Sequence, residues 1–512
     1  MVARSSRAGS TKTKMNIPEE ILEIINKLQS ANFEAYLVGG CVRDLVLNEI
    51  ERLPIKPKDW DITTNAKPEE IQKLFEESVY ENKFGTVGVK TESNDPTLKI
   101  VELTTFRQEG KYTDKRHPDT ITFAKTLEKD LSRRDFTINA MAIEVKSLKS
   151  KIKIIDPFSG QTDLKNKLIR AVGDPNKRFN EDALRLMRTV RFACELSANW
   201  QIEQETLKAV KINAPFLKFI AGERIRDEFI KIIQTPQAAQ GILLLEETGL
   251  LEQFIPETKK SIGVSQNKHH IYTVWEHLWR SLDYASQKNY SLEVRLASFF
   301  HDLGKPITKE GSGKEATFYN HEIVGSKIVR QILNRLRFSK DQMEKIIRLV
   351  RYHGFVYDPE ITTDAAIRRL LIKVGKDNIS ELAQVREADR IGSGCPKAVP
   401  FRLRHFLFKI EKINKQLEGK EPSLKILKIN GDDIIKILKI KPGPKIGMLL
   451  NILLEQVLDE PEKNKKEYLE KRAKELEQSS EKELKKMNET AKAKYKNILE
   501  EEEIKIKNKY HV

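Results

Sequence analysis

The feature that most restricts how this chain can fold is a change of hydrophobic period near Pro157. Upstream, the short runs FEAYLVGG, WDIT, GTVGVK, LKIVELTTF, ITF and IKIID read as strands set among helical segments. From about Asp163 to Asp459 the apolar residues recur at helical spacing almost throughout, with breaks at GDP, TPQ, Gly263 to Asn267, GSGK and IGSGCP. Alternation with period 2 builds sheet and period 3.6 builds helix. The pattern therefore predicts an α+β multidomain chain, a small mixed-sheet head followed by an all-helical remainder. A single hydrophobic core does not grow to 512 residues, so several domains are expected. The head itself opens on a helix carrying Ile17, Ile21, Leu22, Ile24, Ile25 and Leu28.

Charge and cysteine usage narrow the setting. A net charge of +16 attracts polyanions, with nucleic acid the strongest candidate, but charge alone does not separate RNA from DNA or acidic lipid. No apolar run is long enough to span a bilayer. The N-terminus MVARSSRAGSTKTKMN lacks the apolar stretch of a secretory signal, and residues 1–16 read as a disordered basic leader. Cys41, Cys194 and Cys395 show no CxxC spacing, which argues against a disulfide framework or a thiolate zinc site and for the cytoplasm. From Glu460 onward Lys and Glu dominate, so a solvated helix or disordered tail is expected there.

Four clusters in the first half carry chemistry. Gly39 and Gly40 lie between a strand and a helix, where backbone N–H groups can approach a phosphate, and Arg43 can reach the same anion. A tight structural turn explains that motif alone equally well. Asp59 and Asp61 stand two apart in a strand-like run, so both carboxylates are expected on one face, where they repel unless a cation sits between them. Magnesium suits that place, because it takes hard oxygen ligands and keeps positions for substrate phosphates. In SRRDFTINAMA, Arg133 and Arg134 offer a guanidinium clamp for a triphosphate, or a helix-start salt bridge. In RFNEDALRLMRTVRF, Asp182, Arg185, Arg188 and Arg191 recur every third residue on an expected helix, with Leu184, Leu186, Val190 and Phe192 on its buried side. An Asp acceptor beside an Arg donor can hydrogen-bond the Watson–Crick edge of a base; a solvated charged flank is the plainer alternative.

In this order YLVGGCVRD, DWDI, VELTTFRQEGKYTDKRHPD, RRDFTINAMA and EDALRLMRTVRF resemble the bacterial-type CCA-adding tRNA nucleotidyltransferases and their poly(A) polymerase relatives, over roughly residues 34 to 260. The resemblance implies a nucleotidyltransferase head in which Asp59 and Asp61 bind catalytic Mg2+. Gly40, Arg43 and Arg134 would then bind the incoming triphosphate, Asp182 and Arg185 would act as an amino-acid template, and Arg188 and Arg191 would support the nucleotide. By the same resemblance Glu102, on the strand before TTFR, would be an additional carboxylate near the metals. The loop between Gln108 and Asp119 looks like the segment that family members need to switch from C to A, which favours full CCA addition from CTP and ATP. The NAMA continuation favours tRNA as substrate. NGDDIIKILKIKPGPKIGMLLNILLEQVLDEP resembles the family's tail, which would hold the tRNA by duplex shape and backbone phosphates.

A second constellation follows. His277, His301 and Asp302 in LASFFHDLGKP, His321, His353 in RYHGF and Asp389 resemble the ligand order of HD-superfamily metal phosphohydrolases, and they include four of the nine histidines in the chain. Imidazole and carboxylate ligands suit Mn, Ni, Fe or Mg. The resemblance implies a second divalent metal and a phosphatase or 2′,3′-cyclic phosphodiesterase activity able to clear an RNA end that lacks a free 3′ hydroxyl. The expected layout is head 17–155, neck and body with the template helix 156–260, HD domain 261–420 and helical RNA-binding tail 421–512. Two other readings are a poly(A) polymerase or A-adding enzyme, and an HD phosphohydrolase whose head only binds RNA. The intact Asp59, Asp61, Asp182 and Arg185 speak against the second.

Overall fold

A computed structural model of the protein describes residues 15–52, 55–80, 85–109, 121–145, 152–196, 199–267, 270–397, 399–416 and 427–496. Most of the leader, the loop expected to switch nucleotides and the Glu-rich C-terminus lie outside them. The chain divides into two compact units, Met1–Ile232 with Leu244–Gln253, and Ile233–Leu243 with Phe254–Val512.

The first unit runs α1 (Glu19–Ser30), β1 (Ala35–Val38), α2 (Gly40–Glu51), β2 (Asp61–Thr64), α3 (Pro68–Leu74), β3 (Ser78–Tyr80), β4 (Thr86–Lys90), β5 (Ile100–Thr105), β6 (Arg107–Glu109), β7 (Ile121–Phe123), α4 (Leu127–Ser132), β8 (Ala142–Glu144), β9 (Lys153–Ile155), α5 (Gly160–Lys165) and β10 (Leu168–Ile169). It continues with α6 (Pro175–Glu181), α7 (Leu184–Glu195), β11 (Gln201–Ile202), α8 (Gln204–Asn213) and α9 (Gly222–Ile233). Seven strands form one sheet in the order β3-β4-β5-β2-β1-β8-β9. Only β2 and β5 pair in parallel, so the sheet is mixed, as the strand runs imply. The register sets Val38 opposite Asp61 and Asp61 opposite Glu102, which brings three motif segments to one place on the adjacent strands β1, β2 and β5.

Burial of one face of α1 against largely buried inner strands explains this packing. Ile21, Ile24, Ile25 and Leu28 of α1 are buried with Leu37, Val42, Ile62, Val101 and Leu103 in the head's core. Each such side chain contributes about 1.5–3 kcal/mol on leaving water, and truncating Ile25 to Ala would cost about 2–5 kcal/mol. The sequence reading missed β8, since Ala142–Glu144 follows a 3-10 turn at Thr137–Asn139 and is too short for period to show. Beyond Pro157 the only strands among the described residues are the two-residue pair β10 and β11.

The second unit is helical. α10 (Ala238–Glu247) and α11 (Leu250–Phe254) are divided between the two units, and the second continues with α12 (Val274–Gln287), α13 (Leu292–Phe300), α14 (Lys305–Thr308), α15 (His321–Arg335), α16 (Lys340–Tyr352), α17 (Asp364–Val374), α18 (Ile379–Gly392) and α19 (Phe401–Gln416). At Gly304 a Cβ would sit 2.1 Å from the His321 carbonyl oxygen, so only glycine lets the turn after α13 approach α15 this closely. The tail adds α20 (Gly431–Leu438), α21 (Pro444–Asp459), α22 (Lys466–Glu477) and α23 (Glu481–Lys496). Here the solvated reading needs correction. Leu469, Ala473 and Leu476 recur at helical spacing within the Lys/Glu-rich stretch and are buried with Leu449, Leu453 and Leu484 in a core of their own. Among the described residues no helix is long and apolar enough to cross a membrane.

Candidate functional sites

In the head, β1 ends at Val38 and the chain turns through Gly39, whose φ of +78° suits glycine. Any Cβ there would lie 3.0 Å from Asp61 Oδ2 and 3.1 Å from Arg134 Nη1, while the Cβ position at Gly40 lies 3.5 Å from Asp59 Oδ1 and 3.7 Å from Arg43 Nη2. The glycine turn is thus flanked by both carboxylates and both guanidiniums singled out from the sequence. Asp59 reaches it from a bend, not from the strand: β2 begins at Asp61, and the exposed Asp59 stands outside it, with Trp60 buried between them. Burial pushes the Asp61 carboxyl up to about 7; Arg134 works against that rise and the charges of Asp59 and Glu102 add to it. Such a cluster, open on the Asp59 side, fits a divalent cation bound by hard oxygen ligands.

The two arginines are held from behind. Arg43 Nη1 donates to Asn139 Oδ1 at 3.1 Å and pairs with Asp44 at 2.8 Å. Arg134 pairs with the buried Asp130 at 3.5 Å, and Arg133 donates to the same carboxylate at 2.9 Å. Asn139 and Asp130 were not singled out from the sequence; an Asp three and four residues before two arginines was the available signal.

The expected template helix is two helices. α6 ends at Glu181, and Asp182 turns the chain with its Oδ1 accepting from the Leu184 N–H at 3.0 Å, so α7 starts after it. Asp182 and Arg185 therefore stand together at the start of α7, with Arg224 3.6 Å from Asp182. Arg185 donates to Glu181 at 2.8 Å and to the carbonyls of Arg178 and Arg133. Arg188 donates twice to Asp135, and Arg191 pairs with Glu195 at 2.5 Å and Glu228 at 2.6 Å. The solvated-flank reading does not hold, because Arg185 and Arg191 are buried. Phe192, read as plain core, has the guanidiniums of Arg43, Arg188 and Arg191 over its ring at 5.5, 5.3 and 4.1 Å.

In the helical unit all six ligand candidates converge. Asp302 Oδ2 lies 3.1 Å from His277 Nε2 and 3.2 Å from His301 Nε2, and its Oδ1 lies 3.2 Å from His321 Nε2 and 3.5 Å from His353 Nε2. Asp389 Oδ1 is 3.4 Å from His277 Nε2. His301, His321 and His353 share one device: each Nδ1 is within 2.9 Å of the carbonyl three residues earlier, which makes Nδ1 the donor and aims Nε2 inward. Facing Nε2 atoms 2.8 Å apart, as in His277 and His301, fit a cation held between them. Burial opposes charge on His301, but Asp302 and Asp389 outweigh it and hold that imidazole at about 9; the same carboxylates lie well below their usual range.

Two further residues belong to this cluster. His270 groups with His277 and Asp302, and burial, then Lys305 and His277, push it down to about 3. Lys305 is buried with Nζ 2.6 Å from Asp302 and 2.7 Å from Gln266 Oε1. Lys305 follows directly in the HDLGK run; His270 had no signal beyond its residue type. The cluster opens into a cavity of about 570 Å³ lined also by Tyr319, Arg386 and Arg390.

Glycine turn, paired carboxylates and arginine clamp on a mixed sheet, together with a His/Asp cluster able to hold a metal, define a chain with a phosphate-handling head and an HD-type helical unit. Comparison bears this out. Residues 35–170 match the poly(A) polymerase head domain, 199–262 the probable RNA and SrmB-binding site of polymerase A, and 274–393 the HD domain. The CCA-adding enzyme of Enterococcus faecalis is 32% identical over 464 residues, 90% of this chain and 97% of that one. That of Lactobacillus helveticus is 45% identical over 232 residues, 45% of this chain, and the match spans about half, 54%, of that relative. The crystal structure of the Bacillus stearothermophilus CCA-adding enzyme in complex with CTP superposes with a TM-score of 0.67 at 29% identity, covering 91% of this chain and 98% of that one. The chain belongs to the CCA-adding enzyme family. Heads and HD domains of these kinds use divalent metals.

Proposed function

We propose that this protein adds C, C and A to the 3′ end of tRNA from CTP and ATP without a nucleic-acid template. The observation that carries the reading is the Gly39–Gly40 turn flanked by Asp59, Asp61, Arg43 and Arg134. Asp59 and Asp61 would hold Mg2+, which supplies charge neutralisation at the triphosphate and favours the hydroxyl as nucleophile. Gly40 lets the triphosphate approach the backbone at the start of α2, and Arg43 and Arg134 bind its oxygens. Nucleotidyl transfer forms a bond from the RNA 3′ oxygen to the α-phosphorus and releases pyrophosphate.

Asp182 and Arg185 are the template pair, acceptor and donor side by side for the Watson–Crick edge. Arg185 is oriented by Glu181 and two carbonyls, and Arg188 and Arg191 support the nucleotide as positioning residues, since carboxylates already engage both. A leader 1–16, head 17–155, neck and body 156–260, HD domain 261–420 and RNA-binding tail 421–512 remain our domain assignment. The three cysteines are unpaired, which suits the cytoplasm.

For the HD unit we propose phosphoester hydrolysis at RNA ends. His277, His301, Asp302, His321, His353 and Asp389 would hold a divalent metal that polarises the phosphoester and activates water. The head is tested by supplying CTP and ATP, separately and together, to tRNA transcripts lacking CCA, ending in C-C, or complete. Addition that stops at the complete end is expected; A runs without use of CTP would overturn the reading in favour of a poly(A) polymerase.

A further inference from the structure

The cavity over the His/Asp cluster holds more than a phosphate. At about 570 Å³ it falls in the range of sites that enclose a whole small molecule, and one aromatic lining residue stands out for its exposure. Tyr319 is 74% exposed, a large ring left in water. Its position is fixed from both sides. Glu310 and Thr317 exchange two backbone hydrogen bonds that pin the preceding loop. Phe318 then turns inward with Lys305 Nζ 5.5 Å over its ring, and Asn320, at φ +64°, leads into α15 at His321. Tyr319 is thereby held two residues from a candidate metal ligand. Arg390 lines the same cavity and has no carboxylate partner among the described residues; its Nε donates at 3.4 Å to the Lys397 carbonyl.

We infer that Tyr319 and Arg390 form a nucleotide subsite of the HD cavity, with Tyr319 stacking on a nucleobase and Arg390 pairing with the phosphoester oxygens, so that the substrate class is a nucleoside phosphoester. This rests on the phosphohydrolase reading above. An exposed aromatic ring gains from a base whatever its identity, because every base offers a π-face, and a guanidinium matches phosphate oxygens in pairs. In the step served, the oxygen of water bonds to phosphorus, the bond from phosphorus to the ribose oxygen breaks, and that oxygen takes up a proton. The nucleoside phosphoester is either free or the last residue of an RNA.

Full-length protein loaded with Mn2+ or Ni2+ is assayed with adenosine 3′-monophosphate, an RNA hairpin bearing a 3′-terminal phosphate, and base-free glycerol 2-phosphate. Tyr319→Ala is expected to raise KM for the base-bearing substrates about tenfold with kcat nearly unchanged, and to leave glycerol 2-phosphate unaffected; Tyr319→Phe restores the original KM. Arg390→Gln raises KM for all three. Calorimetric titration with adenosine 3′-monophosphate shows the same loss in Tyr319→Ala, the head contributing equally in both proteins. A larger effect on the hairpin than on the free nucleotide identifies RNA as the source, and the reverse a free nucleotide. Equal losses with and without a base, or none, overturn the subsite. No hydrolysis by the unaltered protein, with Tyr319-dependent binding retained, supports the subsite and overturns the phosphohydrolase reading instead.

Discussion

Arg188 donates from Nε and Nη2 to a single oxygen of Asp135, at 2.7 and 2.5 Å, and so ties α7 to the segment that follows Arg134. Burial alone would push Asp135 up; the Arg188 guanidinium, with Arg185 and the Asn139 amide, overrides it and brings the carboxyl to about 2. Asn139 also accepts from Arg43. One buried carboxylate thus links α7, which carries Arg185 of the proposed template pair, to the arginines at the glycine turn.

This pair has an acid signature. Asp135 sits at about 2 when folded against 3.8 in the open chain, so the ionised form stabilises the folded head above pH 4 and that stability is lost as pH falls toward 2. The size is about 2 kcal/mol. Scanning calorimetry should show the head's transition dropping over this window, and Asp135→Asn should be less stable at neutral pH with a flatter acid limb. An unchanged acid limb in the variant would contradict the assignment.

Gly39→Ala places a methyl 3.0 Å from Asp61 Oδ2 in a positive-φ backbone region that costs an L residue about 1–3 kcal/mol. Nucleotide incorporation should fall at least about tenfold, while the circular dichroism spectrum and phosphoester hydrolysis stay as they were. Incorporation at the original rate would show that the turn does not set the carboxylates.

Asp182→Ala removes both the acceptor proposed for base recognition and the oxygen that accepts from Leu184 N–H. Discrimination against UTP and GTP should drop by about tenfold or more, alongside a stability loss of about 1 kcal/mol from the missing cap. Asp182→Asn keeps the cap and should still lose discrimination. Preserved selectivity in Asp182→Asn would remove Asp182 from the template.

Asp302 touches four histidines and Lys305, so Asp302→Ala should abolish stoichiometric divalent metal bound by the helical unit, read by elemental analysis. Incorporation of CTP and ATP into a transcript with a free 3′ hydroxyl should be unaffected. Full metal content in the variant would place the ion elsewhere.

The residues that were legible in the sequence are those whose chemistry is local. Gly39, Gly40, Asp61 and Arg134 each announce a turn, a strand end or a clamp by type and spacing, and the change of period at Pro157 separated sheet from helix. What escaped depended on tertiary partners. Asp59 reaches the site from a bend because β2 starts only at Asp61. Asp182 interrupts what reads as one helix, because its side chain caps the next. His270 joins the His/Asp cluster across a fold that spacing does not encode, and Phe192 gathers three arginines that lie on two different helices. In the tail, long Lys and Glu runs hid a sparse stripe of Leu469, Ala473 and Leu476.

The central claim is that one chain carries a nucleotidyl-transferring head and a separate phosphoester-hydrolysing site that prepares its substrate. It is tested most directly on a tRNA transcript lacking CCA and ending in a 2′,3′-cyclic phosphate, supplied with CTP, ATP, Mg2+ and Ni2+, using the unaltered protein, Asp59→Ala and Asp302→Ala. The unaltered protein should open the blocked end and extend it by three nucleotides, Asp59→Ala should open it without extension, and Asp302→Ala should extend only a transcript that already has its 3′ hydroxyl. Extension of the blocked transcript by Asp302→Ala, or of any transcript by Asp59→Ala, would contradict this division of labour.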